Sequence, residues 1–262
     1  MVFIHWNASP ELFSLGFLAI RWYGLLFMSA FVVGFYIMKH IFTLENRPVE
    51  DIDPLSLSMG IGTVLGARLG HCLFYEPSYY LAHPLDIFKV WQGGLASHGA
   101  IFGIVAVLWF YSRSRPQQPM LWLIDRLIIT IALAGFFIRT GNLFNSEIVG
   151  KPTDVPWAFI FDRLGDNVPR HPTQIYEAVY YLCCFFVLFY LYKKTDIRNY
   201  RGRLLGYFFI MIFGFRFFIE FFKDIQVNFE QGMQLNMGQI LSIPVVLAGL
   251  YFIIRSKKTT TP

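Results

Sequence analysis

Residues 120–147 read MLWLIDRLIITIALAGFFIRTGNLFNSE. From Met120 to Ile138 the stretch is predominantly apolar, and at Arg139 it turns abruptly polar. A helix of about 20 apolar residues crosses the ~30 Å hydrocarbon core of a bilayer. Similar runs recur on both sides of this one. They predict seven spans, roughly Gly16–Met38, Pro54–Phe74, Leu95–Tyr111, Met120–Ile138, Pro172–Tyr192, Leu204–Phe222 and Met237–Ile254. The segment Arg139–His171 is too polar and too rich in Pro and Gly to span, and it reads as a small head on one membrane face. The expected fold is therefore all-α and integral to the membrane. Residues 1–262 form one transmembrane domain of seven helices, with an outward-facing head insertion at 139–171 between the fourth and fifth. Composition agrees: 55% of the 262 residues are hydrophobic, only 15% are charged, and the mean hydropathy is +0.49. A soluble domain carries about 25% charged residues.

The net charge of +5 is informative through its placement. One set of alternate loops holds Lys39, Arg47, Arg113, Arg115, Lys193, Lys194, Arg198, Arg201, Arg203, Arg255, Lys257 and Lys258. The opposite set holds mainly Lys89, Lys151, Arg163, Arg170 and Lys223. Basic loops stay cytoplasmic, so the N-terminus and head should face outward and the C-terminus should be cytoplasmic. That distribution reads as topology, and nucleic acid is not expected as a partner. Residues Met1–Leu15 lack a basic n-region and carry Asn7, Pro10 and Glu11, so the first span should remain in the mature protein. The cysteines Cys72, Cys183 and Cys184 lie in apolar segments and form no disulfide framework. No Cys/His spacing predicts a metal site. There is no internal repeat of the kind that builds transporters from inverted halves.

Polar residues inside spans are costly and mark function. In this topology they fall at one level, near the outer leaflet. Tyr23 lies near the outer end of the first span; Arg68, His71 and Glu76 approach the outer end of the second; His98 opens the third. Arg139 closes the fourth, His171, Gln174 and Glu177 open the fifth, and Arg216 and Glu220 sit in the outer half of the sixth. A shared water-accessible or headgroup cavity explains that pattern. Plainer readings stand beside it. Arg216 and Glu220 are spaced i, i+4 and can simply pair, or can clamp a ligand. Arg68 near His71 can be polar glue between helices. Tyr23 beside Trp22 can be an interfacial aromatic, and His171-Pro172-Thr173-Gln174 can be a helix start. The segment Arg139-Thr140-Gly141-Asn142-Leu143-Phe144-Asn145-Ser146-Glu147 carries the most. If it is helical at its start, Arg139, Asn142 and Asn145 share a face. Arg offers a fork that matches phosphate, Asn adds neutral donors, and Gly141 and Gly150 permit close backbone approach.

These residues resemble a known family over nearly the whole chain. The motifs are Ile20-Arg21-Trp22-Tyr23-Gly24, Gly66-Ala67-Arg68-Leu69-Gly70, Gly93-Gly94-Leu95-Ala96-Ser97-His98-Gly99, the stretch from Arg139 to Gly150, His171-Pro172-Thr173-Gln174-Ile175-Tyr176-Glu177, and Arg216-Phe217-Phe218-Ile219-Glu220-Phe221-Phe222. In this order and spacing the chain is similar to the bacterial prolipoprotein diacylglyceryl transferases. The resemblance implies a transferase of lipoprotein biosynthesis in the cell inner membrane. Such enzymes move the diacylglyceryl group of phosphatidylglycerol onto the thiol of the lipobox cysteine in a prolipoprotein signal peptide. They form a thioether and release glycerol 1-phosphate. By the same resemblance Tyr23, His98, Arg139, Asn142, Glu147, Gly150, Arg216 and Glu220 align with positions implicated in activity. Some members carry Tyr four residues before the Arg of the sixth span. This chain has Ile212 and offers no hydroxyl there.

The chemistry makes demands that these side chains meet. The nucleophile belongs to the substrate, so neither a catalytic cysteine nor a metal or organic cofactor is required. A thiol of pKa about 8.5 needs help to ionise near neutrality, and His98 is suited to take or relay that proton, with positioning as its alternative role. Arg139 and Arg216 can stabilise charge growing on the departing phosphate. Asn142 and Tyr23 can orient headgroup oxygens, with Arg68, Gly150 and Gln174 as further substrate-binding positions. Glu220 can hold Arg216, and Glu147 a neighbouring Arg. The second reading is a phospholipid transporter or flippase with a charged cavity in the outer leaflet. It needs a path to the inner leaflet, whereas the polar groups cluster on one side.

Overall fold

The computed structural model describes residues 3–16, 18–225, 230 and 232–258. Its helices are α1 (Trp22–Leu44), α2 (Ile52–Phe74), α3 (Pro77–Ala82), α4 (Ser97–Arg113), α5 (Met120–Asn145), α6 (Thr173–Lys194), α7 (Arg203–Ile219) and α8 (Met237–Arg255). All but the short α3 correspond to the expected spans. Among the described residues, five segments are long and apolar enough to cross a membrane: Trp22–Leu44, Val49–Phe74, Met120–Asn145, Thr173–Lys194 and Met237–Arg255. Helices α4 and α7 have 17 residues each. Large apolar side chains point outward along these helices, among them Leu57, Phe102, Phe110, Val179, Phe186 and Tyr251. A face of that kind suits hydrocarbon rather than water.

Three boundaries differ from expectation by more than three residues, one of them the end of the first helix at Leu44 instead of Met38. The first helix starts at Trp22, not Gly16. The residues before it form an antiparallel hairpin, β2 (Glu11–Leu15) with β3 (Leu18–Arg21), turned at Gly16 with φ +59°. Helix α5 continues past Ile138 to Asn145, so the first residues assigned to the head belong to the helix. Its backbone bonds favour continuation in an apolar setting, where unsatisfied amides are expensive. The mostly helical fold also includes a small sheet. Strand β1 (Ile4–Trp6) pairs in parallel with β4 (Phe159–Phe161), which pairs antiparallel with β5 (Pro169–Arg170).

The chain divides into two compact units, one of residues 1–37 and 124–262, the other of residues 38–123. In the second unit α2 and α4 approach through glycines. A Cβ on Gly66 would strike the carbonyl oxygen of Gly99, and one on Gly103 would strike that of Gly62. A Cβ on Gly70 would lie 2.6 Å from the Gly99 Cα. Such small-residue seams bring backbones together where no water-driven force acts between helices. In the first unit, buried Asp125 caps the start of α7, accepting from the backbone N–H of Gly202 (2.5 Å) and Leu205 (2.9 Å). Helix α8 starts with a capping box, Asn236 with Gln239, which satisfies two otherwise unpaired donors.

Candidate active site

The first unit gathers the ends of five helices around a cluster of charge. The last two turns of α5 carry Arg139 and Asn142 on one face, three residues apart, as one face of a helix requires. Nη1 of Arg139 donates to Oδ1 of Asn142 (3.3 Å). Nδ2 of Asn142 donates to Oε1 of Glu147 (2.7 Å), and Nδ2 of Asn145 donates to the same oxygen (3.1 Å). Glu147 therefore lies on two amides rather than on an arginine. Its residue is exposed while Asn142 is buried, so the relay runs from an accessible carboxylate into the protein. Tyr23, in the first turn of α1, packs against α5 at Gly141. A Cβ on Gly141 would lie 2.8 Å from its Cδ2, so Gly141 is what admits the ring.

Beneath the relay is a chain of ion pairs. Glu177 of α6 is fully buried. Its Oε1 receives Arg139 Nη2 (3.2 Å), Lys223 Nζ (3.1 Å) and the Tyr181 hydroxyl (3.4 Å). Lys223, also buried, donates to Oε1 of Glu220 (3.0 Å). Glu220 Oε2 accepts from Asn236 Nδ2 (3.0 Å) at the start of α8. A Cβ on Gly238 would lie 2.6 Å from the Glu220 carboxyl carbon, so glycine is required where α8 passes that group. Breaking one partner of such a buried pair leaves an uncompensated charge.

This network changes the expected role of Glu220. It meets Arg216 only at 3.8 Å from Nε, and its closer partners are Lys223 and Asn236. The three cations therefore differ in access: the side chains are 39% exposed for Arg216, 14% for Arg139 and 2% for Lys223. Arg216 presents its guanidinium outward, while Lys223 supplies the charge that holds both buried carboxylates. Lys223 was absent from the sequence-derived cluster, and Glu177 stood in it without an assigned role. Glu177 had a signal, a carboxylate one helical turn after Gln174. Lys223 had only the appearance of a loop charge.

The turn after α5 is fixed by α6. Gln174 Nε2 donates to the Glu147 carbonyl (2.7 Å), and Thr173 Oγ1 donates to the Ile148 carbonyl (2.9 Å). Gln174 is fully buried, and the Nε2 end of its amide holds backbone. Gly150 is enclosed too. Its N–H donates to the His171 carbonyl (2.9 Å), it bridges Lys223, and a Cβ there would lie 2.8 Å from the Phe222 carbonyl oxygen. Burial pushes the His171 imidazole below its ordinary value of 6.5. In the head, Arg170 joins Asp166 and Asp224 at 2.6 Å each.

Arg68 and His98 belong to the second unit. Arg68 is buried and donates to the carbonyls of Asp86 (2.6 Å), Ile87 (2.9 Å) and Gly93 (2.7 Å). It organises the segment that leads into α4. His98 is exposed in the first turn of α4.

Comparison with known proteins gives one family. The model of the prolipoprotein diacylglyceryl transferases matches residues 10–255. A phosphatidylglycerol–prolipoprotein diacylglyceryl transferase of Chloroherpeton thalassium is 51% identical over 256 residues, covering 98% of this chain and 95% of the relative. The protein of that name in Tolumonas auensis is 48% identical, covering 97% and 98%. The one in Porphyromonas gingivalis is 45% identical, covering 98% and 95%. The chain belongs to the prolipoprotein diacylglyceryl transferase family.

Proposed function

We propose that this chain transfers the diacylglyceryl group of phosphatidylglycerol to the thiol of the lipobox cysteine of prolipoproteins. One observation carries the site assignment: a partly exposed arginine, Arg216, stands beside a buried network whose carboxylates already have cationic partners. A phosphate can therefore approach Arg216 without competing against Glu220 at close range. Arg139 and Asn142, pre-set by Glu177 and Glu147, supply further fixed donors. The fork of a guanidinium matches phosphate oxygens, and donors fixed in a dry setting stabilise developing charge without reorganising.

The cysteine sulfur attacks the headgroup-bearing carbon of the diacylglyceryl unit. The S–C bond forms as the C–O bond to phosphate breaks, and glycerol 1-phosphate leaves with the electron pair. Charge grows on the phosphate as this happens, which is where Arg216 and Arg139 act. The thiol proton goes to His98, assigned on the chemistry of imidazole near neutral pH. Tyr23 orients headgroup oxygens from the face it shares with Gly141.

The same reading extends to the membrane. All seven long helices cross the bilayer of the bacterial inner membrane. At about 1.5 Å per residue, α4 and α7 each reach roughly 25 Å, and flanking residues complete the span. The Lys and Arg asymmetry of the loops supports a periplasmic N-terminus, a periplasmic head at 146–171 and a cytoplasmic C-terminus. The whole chain acts as one transmembrane transferase domain.

The test is transfer itself. Purified protein is given phosphatidylglycerol labelled in its acyl chains and a peptide with a lipobox cysteine. Label on the cysteine, matched by released glycerol 1-phosphate, is the expected result. Lipid movement between leaflets with an unmodified peptide would favour a flippase instead.

A further inference from the structure

The turn that carries Glu147 is held in a backbone its residues disfavour. Ser146 has φ +55° and Ile148 has φ +57°, on either side of Glu147. A β-branched residue at positive φ is a genuine outlier. It persists only where surrounding structure over-determines it. Here the surroundings are specific. The Glu147 and Ile148 carbonyls receive the side chains of Gln174 (2.7 Å) and Thr173 (2.9 Å), and both of those residues are fully buried in the first turn of α6. The next residues are also tied down, the Val149 carbonyl by the Asp224 N–H (3.2 Å) and the Gly150 N–H by the His171 carbonyl (2.9 Å).

The geometry has a consequence for the site. With these two residues left-handed, the chain doubles back on α5. The Ser146 N–H reaches the Leu143 carbonyl (3.0 Å), and the Glu147 N–H reaches the Asn142 carbonyl (3.1 Å). The Glu147 carboxylate then meets the Asn142 amide (2.7 Å), whose other end faces Arg139 (3.3 Å). We propose that Thr173 and Gln174 are positioning residues that clamp Ser146–Ile148 in its left-handed form and thereby aim Glu147 at Asn142. The inference rests on the reading of Asn142 and Arg139 as headgroup donors. Ile148 makes the clamp necessary: without it the turn relaxes, and the orientation passed from Glu147 to Asn142 and Arg139 is lost.

The test uses the full-length protein in detergent. Thr173→Val keeps the shape of the side chain and removes the hydroxyl. It is expected to slow single-turnover transfer about 10- to 100-fold, as small misplacements of catalytic groups do. Adding Ile148→Asn should rescue it to within about threefold of Ile148→Asn alone, because Asn tolerates the left-handed region without a clamp. Thr173→Ser should keep the wild-type rate. A double variant as slow as the product of its two single losses, or an unimpaired Thr173→Val, overturns the proposal. Two arms do not depend on transfer. Hydrogen exchange across residues 143–150 should quicken in Thr173→Val and recover in the double variant. Ile148→Asn should melt above Ile148→Ala, since both give up the isoleucine's apolar contacts and Asn is the one that relieves the backbone. Unchanged exchange in Thr173→Val, or the reverse melting order, sinks the clamp. Wild-type protein that transfers no lipid while exchange behaves as expected would overturn the functional reading and leave the clamp standing.

Discussion

Helices α2 and α4 meet through glycines, whereas α5, α6 and α7 meet through charge. In the second unit the seam is Gly62, Gly66 and Gly70 against Gly99 and Gly103, backbone on backbone. The glycines themselves carry no side chain to titrate, swing or bind an anion; their task is contact. In the first unit Arg139, Glu177, Lys223 and Glu220 stand where apolar side chains would have packed more cheaply. Buried ion pairs are weak grounds for stability, since desolvation offsets much of their attraction. Within membrane helices ionisable groups mark function by default. The glycine seam is an architectural solution, and the charged one marks the proposed site.

The largest expected effect breaks the seam. Gly66→Leu drives a side chain into the Gly99 backbone and should prevent folding, measured as loss of a monodisperse species in detergent. Gly60→Leu, on the same helix with nothing within 4 Å of its Cβ, should fold normally. If both fold, the close approach is not required. Lys223→Met is next. It leaves Glu220 and Glu177 short of a cation and should cost about 3–5 kcal/mol in thermal unfolding, with Lys223→Arg recovering most of it. A Met variant as stable as wild type would mean the network is ornamental.

Much of this contrast was legible in the sequence. Apolar runs marked each long helix, and the Gly-x-x-x-Gly spacing of 66–70 and 99–103 stood in plain view. The stretch from Arg139 to Glu147 announced a site because so many polar groups follow an apolar run. What was hidden is pairing. Lys223 read as one outer-loop charge among others, and only the fold turns it inward between two carboxylates. Glu220 was matched to Arg216 by i, i+4 spacing, yet Lys223 and Asn236 outcompete it for that carboxylate. Helix α1 started late for a similar reason. Residues 11–21 are apolar enough for a helix, and their hairpin pairing is a tertiary choice signalled only by Gly16. Strands β1 and β4 are three residues long and too short to show alternation.

Two smaller effects sharpen the comparison. The head uses exposed ion pairs in place of buried ones. The hydrogen bond from Arg170 holds the Asp166 carboxyl below its ordinary value of 3.8. Its folded pKa is depressed, so its contribution is present above the unfolded value and is lost as pH falls through the folded one. The pair is solvated, and its share should stay under about 1 kcal/mol. Asp166→Asn should therefore lower the melting midpoint slightly at neutral pH and flatten its decline in acid. An unchanged acid limb would remove Asp166 from the account. Smallest of all, replacing Cys72, Cys183 and Cys184 together by Ala should leave transfer intact and cost about 1 kcal/mol or less per site. Abolished turnover would point to a covalent enzyme intermediate.

The central claim is that Arg216 and Arg139 grip the departing phosphate, and single-turnover transfer measures it most directly. Arg216→Lys and Arg139→Lys keep the net charge and lose the bidentate fork. Each should slow transfer of labelled diacylglyceryl to a lipobox peptide by about 100- to 1,000-fold, the usual loss for one oxyanion donor, with melting behaviour showing that the protein is folded. Both Lys variants running at the wild-type rate would contradict the account, and would leave the charged end of the first unit with no role beyond packing.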